Sequence, residues 1–185
     1  TLTWNTDGED IYYQGTTDQN LPVSVKFTYY LDGKEIKPAD LKGKSGHLKI
    51  QVDYANKEKK TVSVDGKQEE VYTPFVMMTG MILPNETFSN VTIDNGKVIS
   101  DGSKNIVVGF GMPGMKESLN LDESKTEDLT IPESLCVEAD VTDFTMSSTF
   151  TVALTDLLDD IDFDNIVNVD SLKSSLDELE DAALQ

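Results

Sequence analysis

From about Ile11 to Leu154, apolar side chains recur at every second position. Val23, Val25, Phe27, Tyr29 and Leu31 alternate with Ser24, Lys26 and Thr28, and Leu48, Ile50, Val52 and Tyr54 alternate with Lys49, Gln51 and Asp53. Val62 and Val64, then Val91 and Ile93, then Val137, Ala139 and Val141, then Phe150, Val152 and Leu154 repeat the pattern. Successive side chains of an extended chain point to opposite faces. A period of two therefore predicts antiparallel strands with one face on a core and one in water. The stretch FVMMTGMIL, Phe75 to Leu83, is nearly continuous instead and predicts a strand covered on both sides.

Four turn signals of one type separate these runs: LDGKE at 31–35, VDGKQ at 64–68, DNGKV at 94–98 and SDGSK at 100–104. Asp-Gly and Asn-Gly supply the positive φ angles of tight hairpin turns. PADLKG at 38–43 fits a single helical turn. The expected fold is mostly β, an antiparallel Ig-like β-sandwich over residues 1–155, with two small β subdomains as the alternative partition.

Beyond Leu154 the character changes. Residues 156–185 carry ten acidic side chains and one Lys, and predict an acidic linker leading into a C-terminal α-helix. From Val169 the apolar positions are Leu172, Leu176, Leu179 and Ala183, the opening of a heptad seam, with Asp170 or Ser171 as its N-terminal cap. An amphipathic helix lying on the sandwich is the alternative to a coiled-coil stalk. The seam is flanked by Asp177, Glu178, Glu180 and Asp181 with Lys173 the one nearby cation. Such like charges repel along a short dimer, so this stretch of chain is expected to be monomeric, and a chain with more heptads to self-associate.

Charge removes several function classes. The net charge is −19, and every basic residue is Lys. Nucleic acids and anionic membrane surfaces are bound by clustered Lys and Arg, so neither is an expected partner. Cys136 is alone and forms no internal disulfide. No apolar run reaches the length of a membrane span. The start at Thr1 rather than Met, and the end inside a helical pattern, lead to the expectation of an excised piece whose anchor lies elsewhere.

Little in the chain resembles chemistry. In IVVGFGMPG, Gly109, Gly111 and Gly114 match the dinucleotide spacing G-x-G-x-x-G. That motif works by opening a helix whose N-terminus faces a pyrophosphate. Here Pro113 interrupts it, and MKESLNLDES beyond is too short and polar for a crossover helix. The glycines are therefore expected to mark a bulge or a strand crossing, with no cofactor. Asp160, Asp162 and Asp164 imitate the start of a calcium loop, but Asn165 and Ser171 stand where an EF-hand needs Gly and Glu. A solvated acidic face is expected, with a non-EF calcium site as the alternative. His47, the one histidine, should face solvent at a strand start, and with Cys136 it cannot make up a zinc set. No nucleophile elbow accompanies it, so no catalytic residue is assigned and the protein is expected not to be an enzyme. Asn85 and Asn90 match the glycosylation acceptor. Trp4, Tyr12, Tyr13, Tyr30 and Tyr72 are the aromatics a sugar could stack on, and the alternation that buries Tyr29 turns Tyr30 outward.

Three stretches together resemble a known group: PVSVKFTYYLDGKEIKPADLKGKSGHLKIQVDYAN, PFVMMTGMILPNETFSNVTIDNGKVISDG and IPESLCVEADVTDFTM. They are similar to the ectodomains of predicted membrane proteins of Gram-positive bacteria, grouped with the phage infection protein family. The resemblance runs over roughly residues 12 to 183 and includes SLKSSLDELEDAALQ. Its motifs are turns and core strands, so it carries over no functional residue. It implies an extracellular location, long helices of Leu-x-x-Gly heptads, and anchoring through membrane spans outside these residues. The expected function is thus a non-enzymatic extracellular module of a membrane-anchored surface protein. It would act in interaction or presentation with a protein partner, as in adhesion, phage reception or secretion. A carbohydrate- or small-ligand-binding sandwich is the alternative. If the Asp159 to Asp164 cluster is a solvated face, millimolar calcium should raise the melting temperature no more than magnesium does. A calcium-specific rise of several degrees in a thermal melt would reveal a site, because selective binding to the native state stabilises it.

Overall fold

A computed structural model describes residues 20–64, 66–119, 131–145 and 148–155. The elements are β1 (Val23–Leu31), β2 (Lys34–Ile36), α1 (Pro38–Leu41), β3 (Gly46–Asn56), β4 (Lys59–Val64), β5 (Lys67–Tyr72), β6 (Val76–Pro84), β7 (Phe88–Ile93), β8 (Gly96–Ser100), β9 (Lys104–Gly111), α2 (Met115–Ser118), β10 (Ser134–Val141) and β11 (Ser148–Leu154). The linker and C-terminal helix expected over 156–185, the acidic cluster within them, and Trp4, Tyr12 and Tyr13 lie outside the described residues.

The strands pair antiparallel into a five-stranded sheet, order β2-β1-β3-β10-β7, and a four-stranded sheet, order β11-β6-β9-β8, while β4 and β5 form a separate ribbon. Leu48, Ile50, Val52 and Tyr54 of β3 and Leu135, Val137, Ala139 and Val141 of β10 pack from the first sheet against Met77, Met81, Leu83 and Val107 of the second. The chain is an antiparallel β-sandwich, as the alternation implies. Its nearly continuous apolar run, β6, is central in the second sheet and buried along most of its length.

Both ends of the sandwich are closed by connecting segments. At one end Leu41 of α1 is buried and the chain after it bonds across to Phe144, whose ring meets Phe88 edge-on at 5.8 Å. At the other, Met112 and Met115 are buried and the Met112 amide donates to the Pro132 carbonyl. One polar chain crosses the core: Tyr54 Oη lies 2.6 Å from Thr79 Oγ1, which lies 2.8 Å from Thr151 Oγ1. Burial pushes the Tyr54 hydroxyl up to about 12, against the opposing pull of its bond to Thr79.

Three expectations need correction. LDGKE and SDGSK are hairpin turns, with positive φ at Asp32, Gly33 and Gly102, but DNGKV is not. β7 and β8 belong to different sheets, and Asn95 carries the crossing by donating to the Ser134 carbonyl at 3.0 Å and accepting from Phe110 N–H at 3.0 Å. The β11 alternation is also reversed. Phe150 is 55% and Val152 42% exposed, because Thr151, not its apolar neighbours, meets Thr79 inside the sandwich. Finally, of the bulge and the strand crossing expected at Gly109 and Gly111, the bulge is absent: β9 keeps unbroken register with β6 through both. They face the first sheet, where a Cβ on Gly109 would fall 2.6 Å from both Ile93 Cδ1 and Leu135 Cδ2, and one on Gly111 would fall 2.7 Å from the Tyr54 ring. Close approach of the sheets, not a phosphate, requires these glycines.

That distinction is measurable. Gly109→Ala should lower stability by about 1–3 kcal/mol in urea unfolding, because its Cβ has packed side chains and the Asn95 carbonyl around it. The three atoms nearest to a Cβ on Gly80 all belong to the ring of half-exposed Phe150, which can swing outward, so the change in Gly80→Ala should stay within about 0.5 kcal/mol. Equal losses in the two variants would contradict the sheet-contact account.

Candidate functional site

The outer face of the five-stranded sheet is polar and is organised in rows by strand register. Glu35 of β2 stands opposite Tyr30 of β1, Tyr30 opposite Lys49 of β3, Lys49 opposite Glu138 of β10, and Glu138 opposite Thr92 of β7. Neighbouring rows set His47 against Asp140, and Thr28 and Cys136 on either side of Gln51. Cross-strand neighbours of this kind are within side-chain reach of one another.

A groove of about 380 Å³ opens on this face, lined by Tyr30, Gly33, His47, Lys49, Gln51 and Glu138. Its upper rim is the β1–β2 turn. Asp32 accepts the His47 backbone N–H at 2.9 Å, and its own N–H donates to the His47 carbonyl at 2.8 Å. Gly46 beside it has φ +148°, and a Cβ there would strike the Asp32 carboxylate. Gly33, with no side chain and φ +77°, keeps the rim low.

The His47 ring is held from the far side. Its Nδ1 lies 3.0 Å from Asp140 Oδ1, and Asn90 Nδ2 donates to the other Asp140 oxygen at 2.8 Å. Asn90 reaches it because β10 shifts register between Glu138 and Asp140 and Asn90 takes φ +52° opposite the shift. Asparagine tolerates this left-handed conformation better than most residues. With Nδ1 committed to Asp140, Nε2 faces Glu138 at 3.8 Å. The Asp140 bond raises the imidazole above its ordinary value, opposed by desolvation and aided by the charges of Asp140, Glu138 and Asp32. Asp140 is lowered in turn, first by the Asn90 bond and then by His47. Two carboxylates facing two ring nitrogens make an ion-pair cluster rather than a base poised on a nucleophile. Burial raises the Cys136 thiol, partly offset by Lys49, so it is not an activated thiolate.

Of the aromatics a sugar could stack on, the two among the described residues, Tyr30 and Tyr72, stand apart. Tyr30 lies in the groove, whereas Tyr72 ends β5 with the Lys59 ammonium 4.4 Å over its ring and Gly114 packed beneath it. Asn85 bonds Asn105 at 2.7 Å, and Asn90 serves Asp140. Lys49, Gln51 and Glu138 carried no signal beyond their place on the wet side of strands. Their convergence depends on pairing between segments far apart in the chain. Among the described residues, no three His, Cys, Asp or Glu side chains gather as a metal site, and no helix is long and apolar enough to cross a membrane. The chain matches no family model, no curated protein and no solved structure.

The sign of the pH effect follows from the two shifts. His47, raised above 6.5, adds stability that is full below 6.5 and is lost as pH rises through its folded value. Asp140, lowered below 3.8, adds stability that is full above 3.8 and is lost as pH falls through its folded value. The pair is therefore strongest between 3.8 and 6.5. Because the chain has one histidine, its ring resonance can be followed directly by NMR. It should titrate above 6.5 in the wild type and move down towards 6.5 in Asp140→Asn. A wild-type midpoint at or below the free value would contradict the pairing.

Proposed function

We propose that this domain is a non-enzymatic recognition module, displayed on the extracellular side of a bacterial membrane protein, that meets its partner through the outer face of the five-stranded sheet. The observation that carries the reading is the row on that face. An aromatic ring, an ammonium and a carboxylate stand side by side on three paired strands, beside a groove open to solvent. Convergent polar groups around one ring suit recognition, since each fixes orientation while the ring supplies contact area. The site sits on rigid strands rather than loops, which suits presentation of a preformed surface. A net charge of −19 directs the module away from nucleic acids and towards neutral or basic partners. The resemblance to ectodomains of Gram-positive surface proteins supports the outward placement, with a membrane anchor outside these residues.

The reading is tested on intact cells. An antibody raised against this domain should label unpermeabilised cells expressing the full-length protein, and external protease should remove the epitope. Labelling only after permeabilisation would overturn the extracellular placement.

A further inference from the structure

Resting on the reading of this domain as a recognition module, the geometry points to a specific ligand for the Tyr30 groove: a single neutral pyranose ring. At about 380 Å³ the groove lies near the lower end of small-molecule sites, which run from about 300 to 1,000 Å³. It suits one ring rather than a folded partner. Tyr30 contributes an aromatic ring to the groove on the outer side of the sheet, and Gly33 in the turn beside it adds no side chain. A pyranose has a matching apolar C–H face, whereas an open-chain polyol does not.

The polar groups fit hydroxyls rather than charges. A hydroxyl both donates and accepts, so adjacent ones are best met by a donor beside an acceptor. Lys49 can only donate and ionised Glu138 can only accept, and strand register sets them opposite each other next to Tyr30. Gln51, whose amide N–H donates to Asp53 at 3.2 Å, lines the same groove and has a carbonyl oxygen that can accept. An anionic sugar would face Glu138 with Glu35 and Asp140 close by, and one Lys among the groove residues to offset them. A cationic ligand would meet Lys49 at the centre of the row. A neutral ring avoids both conflicts. His47, tied to Asp140, forms the wall beside Glu138 and need not move.

The test titrates the isotope-labelled 185-residue chain with methyl glucopyranoside, methyl galactopyranoside and, as a control, sorbitol, followed by NMR. At least one pyranoside should shift the amides of Tyr30, Gly33, Lys49, Gln51 and Glu138 with a dissociation constant in the millimolar range, and sorbitol should not. Tyr30→Ala should weaken binding roughly tenfold, while Tyr30→Phe, which keeps the ring, should stay within about twofold. Glu138→Gln, which replaces an acceptor on a surface-exposed side chain, should weaken it in a folded protein whose other resonances are unmoved. Absence of shifts at tens of millimolar of either pyranoside, equal shifts with sorbitol, or binding indifferent to Tyr30→Ala would each overturn the proposal. Cell-surface labelling is independent of this titration. A failed titration with positive labelling removes the sugar and keeps the recognition module, whereas negative labelling removes the module's extracellular placement.

Discussion

The two sheets approach so closely that β9 has no room for side chains where it crosses the first sheet, and much else follows from that contact. Gly109 sits against Ile93 and Leu135, and Gly111 against the Tyr54 ring. Tyr54 can then reach across to Thr79 at 2.6 Å and, through it, to Thr151. A hydroxyl chain inside an apolar core must be satisfied at every link or it costs more than it stabilises. Among the described residues no buried side-chain polar atom lacks a partner. The same chain ties β11 to β6 in the one register that turns Thr151 inward, which leaves Phe150 and Val152 on the outer side.

The outer face of the first sheet is a consequence of that core. Leu48, Ile50 and Val52 point inward, so His47, Lys49 and Gln51 must point outward. Leu135, Val137 and Ala139 do the same for Cys136, Glu138 and Asp140 on β10. Once β3 and β10 pair, His47 meets Asp140 and Lys49 meets Glu138 without any loop having to order them. The irregularity between Glu138 and Asp140 lets Asn90 join the cluster, an instance of a bulge re-aiming a side chain at a sheet edge. The recognition reading and the sugar proposal both stand on this rigid placement.

What the sequence determined by itself was most of what depends on neighbours a few residues apart. The period of two located most of the strands, Asp-Gly located the hairpins at 31–35 and 100–104, PADL located α1, and alternation placed His47 and Tyr30 on the wet side. Tertiary structure decided what depends on neighbours distant in the chain. It set Glu138 beside Lys49, separated Tyr72 from Tyr30, carried Asn95 between sheets instead of around a hairpin, and turned Phe150 outward where alternation alone pointed it to the core. The glycines of IVVGFGMPG show the division most plainly. Their spacing is local and imitates a phosphate loop, but their cause is a second sheet lying where a Cβ would be. Hydrophobic periodicity is written along one strand, whereas register and inter-sheet distance come from packing all the strands at once.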